Sequence, residues 1–88
     1  MASRGQSVKV LFFAKLREQL GSSGLELDIP ACTVAELKQA LITHSQGAWR
    51  EALEQDNLIC AVNQGVAHDQ RQVEPGDEVA FFPPVTGG

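Results

Sequence analysis

The sequence predicts an α+β fold, a mixed sheet with one main helix packed on one face. Three observations carry that prediction. Residues 8–14 and 78–82, near the two ends of the chain, are apolar runs rich in β-branched and aromatic side chains, the composition that suits a pleated, half-buried surface. Leu25-Glu26-Leu27-Asp28-Ile29 alternates strictly between apolar and acidic residues, the period of a strand with one buried face. Between them Thr33 and Glu36 are spaced as a capping box, and Val34, Leu37, Ala40 and Leu41 follow on one helical face.

The elements follow in order. Residues 1–7 are small and polar and read as a flexible leader. The first strand occupies residues 8–14. Residues 16–20 read as a helical turn that Gly21 ends, and Ser22-Ser23-Gly24 as a loop. The alternating strand 25–29 stops at Pro30, which has no N–H for a ladder, so the first two strands suggest a hairpin. The main helix fades near His44 and Ser45, and Gly47 marks the break. Residues 48–53 read as a second short helical piece with Trp49 and Leu53 one turn apart. Residues 58–62 are a compact apolar run, read as a central strand. Asn63-Gln64-Gly65 is turn chemistry, 66–68 a short strand, Pro75-Gly76-Asp77 a further turn and 78–82 the last strand.

The order is β-β-α-β-β-β. The first and last strands are both strongly apolar, so they are expected to lie side by side in the centre, paired parallel, as in the β-grasp fold of ubiquitin-like domains. Strand period then sorts the side chains. Val8, Val10 and Phe12 share one face with Val79 and Phe81, whereas Lys9 and Glu78 mark the other face as the outer one. Leu11, Phe13, Ala80 and Phe82 are expected to form an apolar patch on that outer face. A solvent-facing apolar patch on a small domain marks a binding surface. Phe13, Leu11 and Phe82 are therefore candidate partner-binding residues, and Val66 is placed with them. Arg17, just past the first strand, joins them as a candidate interface anchor.

The bulk composition excludes several classes. A chain of 88 residues makes one domain spanning 1–88, and a chain so short buries only about 60% of its unfolded surface. The net charge is −4 and the seven Lys and Arg are scattered, so no basic face offers itself to nucleic acid. No stretch reaches transmembrane length, and the run before Lys15 is too short for a signal peptide; the reading is of a soluble, cytoplasmic chain. Cys32 and Cys60, with His44 and His68, match no metal-ligand spacing, and the cysteines read as buried or half-buried thiols of a reducing compartment. No nucleophile–base or paired-carboxylate arrangement emerges, Glu51 and Glu54 reading as a solvated helix face. Trp49 reads as a packing aromatic.

The chain ends in Gly87-Gly88. Nothing follows that would use the pair as a turn, so their use lies in close approach, a bare backbone able to thread a narrow cleft. Pro83-Pro84 stiffens the root of this tail, and residues 83–88, extended, reach roughly 20 Å. The working group is expected to be the C-terminal carboxylate itself.

Three segments carry a resemblance to a known family. Val8-Lys9-Val10-Leu11-Phe12-Phe13-Ala14 with Leu16-Arg17-Glu18, then Ala61-Val62-Asn63-Gln64, then residues 76–88 ending Phe81-Phe82-Pro83-Pro84-Val85-Thr86-Gly87-Gly88, resemble the small, sulfur carrier subunit of molybdopterin synthase, the MoaD family. The resemblance implies that Gly88 is the catalytic residue, adenylated at its carboxylate and converted to a thiocarboxylate that donates sulfur to cyclic pyranopterin monophosphate. It implies that Pro83, Pro84, Val85, Thr86 and Gly87 form the tail that delivers it. It implies three partners: a large subunit in a heterotetramer, an ATP-dependent activating enzyme and a persulfide sulfur donor. No cofactor is expected on the chain itself, ATP being consumed by the activating enzyme. Three other readings remain: a sulfur carrier for thiamine or tRNA thiolation, a protein modifier that forms isopeptide bonds, and an interaction module with an incidental tail.

Overall fold

The computed structural model describes residues 7–83. Ten elements follow one another: β1 (Val8–Phe12), α1 (Ala14–Leu20), β2 (Gly24–Leu27), β3 (Cys32–Thr33), α2 (Val34–His44), α3 (Arg50–Leu53), β4 (Ile59–Val62), β5 (Gly65–Ala67), β6 (Gln72–Val73) and β7 (Glu78–Phe82). The main sheet has the order β2-β1-β7-β4-β5, and β3 pairs with β6 in a separate two-stranded ribbon. β1 and β7 are parallel neighbours in register Val10↔Val79 and Phe12↔Phe81, and the other main-sheet pairings are antiparallel. This is the expected β-grasp arrangement, with α2 as its longest helix.

Alternation produces the two faces. Val8, Val10 and Phe12 of β1 and Val79 and Phe81 of β7 are buried, and they pack with Leu16, Val34, Leu37, Leu41, Ile42 and Leu53 from the helices. Trp49 closes this core from the side. Its ring stands edge-on to Phe12 at 5.3 Å, and its indole N–H donates to the Leu20 carbonyl at 3.2 Å, the pairing that a half-buried indole needs. Thr33 Oγ1 accepts from the Glu36 N–H at 3.2 Å while Glu36 Oε1 accepts from the Thr33 N–H at 2.9 Å. That reciprocal box satisfies two donors at the start of α2 that the helix cannot satisfy alone.

The boundaries differ from the sequence expectation in several places; α3 begins at Arg50 rather than at residue 48, and β4 at Ile59 rather than at residue 58. β1 ends at Phe12 because Ala14 takes a left-handed φ of 56°, which turns the chain and starts α1 two residues earlier than expected. β2 begins at Gly24 and ends at Leu27, so Asp28 and Ile29 lie beyond the ladder. β5 is displaced by one residue, to Gly65–Ala67. The ribbon of β3 and β6 is new; its strands hold two residues each, too few to show a period. Ser7 is tied down, its carbonyl accepting from the Gly76 N–H at 2.9 Å and its hydroxyl donating to Glu26 at 3.1 Å.

Candidate functional site

The parallel pairing of β1 and β7 puts the end of β7 in the middle of the sheet. The face turned away from the helices is organised in cross-strand rows. Gly24, Leu11, Ala80, Ala61 and Val66 stand opposite one another in turn across all five strands. One step toward the end of β7, Phe82 is paired with Ile59. Phe13 stands beside it, its ring stacked on that of Phe82 with centroids 4.9 Å apart and planes inclined by 10°.

Side-chain size shapes this face. Ala61 and Ala80 are too short to fill their places in the row and make a floor, while Phe13, Phe82, Ile59 and Val66 stand higher. Together with Gln64 and Glu78 they line a hollow of about 390 Å³. Phe13 is 38% exposed and Val66 76% exposed. Leaving such apolar area in water forgoes roughly 25 cal/mol for each Å², an outlay that a covering partner recovers. The result is a largely apolar hollow on the outer face, at the end of β7.

Phe13, Phe82 and Val66 thus come together around one hollow; strand period indicated the first two. Leu11 belongs to the same row, but it lines the neighbouring depression with Lys9 and Gly24. Arg17 is exposed on α1 and is not among the residues lining the hollow. Pro83, half-buried, is the last described residue; Pro84, Val85, Thr86, Gly87 and Gly88 lie outside the described residues. Ile59, Ala61 and Gln64 complete the hollow and were not singled out from sequence. The period of β4 carries the signal: Ile59 and Ala61 alternate with the inward Cys60 and Val62.

The turn between β4 and β5 is fastened to the start of β7. Asn63 and Gln64 both take positive φ, 50° and 74°, as a tight hairpin turn requires. The Asn63 carboxamide accepts from the Glu78 N–H at 3.0 Å and donates to Asp77 at 3.1 Å. Asp77 also accepts from the Glu74 N–H at 2.9 Å. These two donors, Glu74 first and Asn63 second, hold the Asp77 carboxyl below its ordinary pKa.

The opposite side carries a larger, polar hollow of about 580 Å³ between α2, the end of α3 and β4–β5. Lys38 and Asp69 pair across its rim at 3.0 Å. Cys60 lies in its floor, and burial pushes the thiol up to about 11, so it is neutral and a poor nucleophile at neutral pH. Among the described residues no three His, Cys, Asp or Glu are grouped to hold a metal, and no helix is long and apolar enough to cross a membrane.

Comparison with known proteins places the chain. The ThiS family model matches residues 10–88. The molybdopterin synthase sulfur carrier subunit of Escherichia coli is 46% identical over 81 residues, covering 92% of this chain and 99% of the relative. The protein of the same name from Haemophilus influenzae is 40% identical, with the same coverage. Among solved structures, the crystal structure of SAMP1 from Haloferax volcanii superposes with a TM-score of 0.76 at 30% identity, covering 93% of this chain and 99% of the other. The match to the family model, the length over which both relatives align and the shared fold agree: the chain belongs to the ThiS family.

Proposed function

We propose that the chain is the sulfur carrier subunit of a molybdopterin synthase, and that Gly88 carries the sulfur. The observation that carries this reading is the 46% identity to a molybdopterin synthase sulfur carrier subunit over 99% of that protein's length. The apolar hollow beside Pro83 supports it, because a carrier must dock a protein next to the residues that deliver its cargo.

The chemistry starts from a carboxylate, a poor electrophile. An ATP-dependent activating enzyme joins the Gly88 carboxylate to AMP, releasing pyrophosphate, and the mixed anhydride now has a good leaving group. The outer sulfur of a persulfide displaces AMP to give an acyl disulfide, and a thiol cleaves its S–S bond, leaving a thiocarboxylate on Gly88 and a disulfide on the donor. Seated in a large subunit, the thiocarboxylate sulfur attacks cyclic pyranopterin monophosphate. Water then hydrolyses the acyl–sulfur bond and returns the Gly88 carboxylate, and two such transfers build the dithiolene. The small subunit docks through Phe13, Phe82, Val66 and Leu11, with Arg17 anchoring at the edge, while the large subunit contributes the acid–base groups. Two small and two large subunits make the heterotetramer.

Gly88→Ala tests the tail directly. A methyl group at the reacting carbon's neighbour narrows the fit in a channel sized for bare backbone. Molybdopterin formed in a reconstituted reaction with large subunit, activating enzyme and sulfur donor should fall by about 100-fold, with the unfolding midpoint unchanged. Full activity of this variant would refute delivery by the tail. The likeness to SAMP1 favours a second reading, since a related crystal structure from the same archaeon bears the name small archaeal modifier protein 1. A modifier joins its C-terminus to lysines, so the same mixture would then yield higher-mass lysine conjugates.

A further inference from the structure

Phe13 stacks on Phe82 where the β1–β7 ladder runs out. On the β4 side, Phe82 is paired with Ile59. On the β1 side, pairing ends one residue earlier: the last strand pair is Phe12↔Phe81, and the Phe13 N–H donates to the Phe81 carbonyl at 3.1 Å. The chain then turns away at Ala14, whose φ of 56° is a conformation that L-residues rarely take. Phe13, still extended at φ −122° and ψ 158°, is thus the last residue of this segment to run beside β7, and its ring lies nearly parallel to the Phe82 ring at 4.9 Å.

We propose that Phe13 is a positioning residue: through its ring it fixes Phe82, and with it the direction in which the chain leaves the sheet at Pro83. Phe13 therefore governs how the tail is aimed, in addition to offering surface to a partner. Proline locks its own φ and restricts the residue before it, so orientation at Phe82 is passed on to Pro83. In the carrier reading the reacting carboxylate lies five residues beyond Pro83, and a misplacement of about 1 Å at a reacting group is enough to cost about 100-fold in rate. The stack is stiff for a second reason: Phe13 is the residue that precedes α1, and the Arg17 N–H returns to the Phe13 carbonyl at 3.4 Å. The strand end and the helix thus hold the backbone of Phe13 at its N–H and at its carbonyl. This inference rests on the carrier reading, in which Gly88 has to reach a reaction centre in a partner.

The test separates aiming from docking. Phe13→Leu keeps apolar surface but has no flat ring, whereas Phe13→Tyr keeps the ring. In the free protein, Phe13→Leu should speed hydrogen exchange at the backbone amides of positions 13 and 82 and abolish the ring-current shifts of the Phe82 protons, and Phe13→Tyr should restore both. With the activating enzyme and ATP, pyrophosphate release should show kcat lowered about 10–100-fold by Phe13→Leu, KM within about twofold, and recovery by Phe13→Tyr. The pair Phe13→Leu with Phe82→Leu should cost no more than either change alone, the mark of two residues acting as one unit. A rise in KM with kcat unchanged, or unchanged exchange and shifts in the free Phe13→Leu protein, would overturn the proposal. If the unsubstituted chain released no pyrophosphate, the carrier reading itself would fall, and the free-protein measurements would still report whether Phe13 holds Phe82.

Discussion

Gly24 shows how little freedom a single position has in this sheet. It has a φ of 149°, and a Cβ built on it collides with the Val10 carbonyl oxygen and falls 3.2 Å from both the Cα and a Cδ of Leu11. Two of those contacts are backbone, which has nowhere to go. Gly24→Ala should destabilise the fold by roughly 2–4 kcal/mol, read as a lower urea midpoint at unchanged slope; a change under about 0.5 kcal/mol would mean that β2 slides to make room. The loop at 22–23 was legible from composition, but Gly24, read as its last residue, is the first of β2, and the closeness of Val10 is a tertiary fact that no local pattern carries. The same divide runs through the site. Phe13, Phe82 and Leu11 were legible on the outer face because strand period is two. The left-handed Ala14 was not, since alanine carries no signal for that conformation and the neighbouring strands and helix impose it.

At the scale of elements, the sequence was most readable where a local interaction closes on itself. The Thr33–Glu36 box starts α2 where the spacing placed it, and the alternation in β1 and β7 assigns every inward residue correctly. Elements that exist through partners were missed or blurred. β3 and β6 are two-residue strands made by each other, and α1 owes its first turn to Ala14. The turns that join β4, β5 and β7 lean on Asp77, whose folded pKa lies below its unfolded value of about 3.9. As pH falls, the unfolded chain therefore takes up this proton first. The carboxylate's contribution is present above about pH 4 and is lost as pH falls through the folded pKa. Because Asp77 is close to the surface, the effect is modest. Asp77→Asn should be less stable than the parent chain at pH 7, and the gap between their urea midpoints should close as pH falls through the folded pKa of Asp77. Parallel midpoints across that range would show that the charge of Asp77 does not stabilise the turn.

At the scale of the whole molecule, the two faces of the sheet divide the work. The inner face meets α1, α2 and α3 in a core built from one side of each strand. The outer face is left open, with its alanine floor and aromatic wall next to the strand that leads into the tail. Parallel pairing of β1 and β7 is what makes this possible, because it puts the final strand in the centre, flanked by β1 and β4 rather than at an edge. That layout was legible from the apolar character of the two end strands. The depth of the hollow was not, since it depends on Ala61 and Ala80 falling opposite each other across β4 and β7, a register the sequence does not display. If Gly88 accepts sulfur as a thiocarboxylate, the intact-protein mass after incubation with an activating enzyme, ATP, a persulfide donor and a thiol reductant should show one oxygen replaced by one sulfur, localised to Gly88 by fragmentation and absent without ATP. An unchanged mass, with the enzyme shown to be active on another carrier, would rule out Gly88 as the sulfur acceptor.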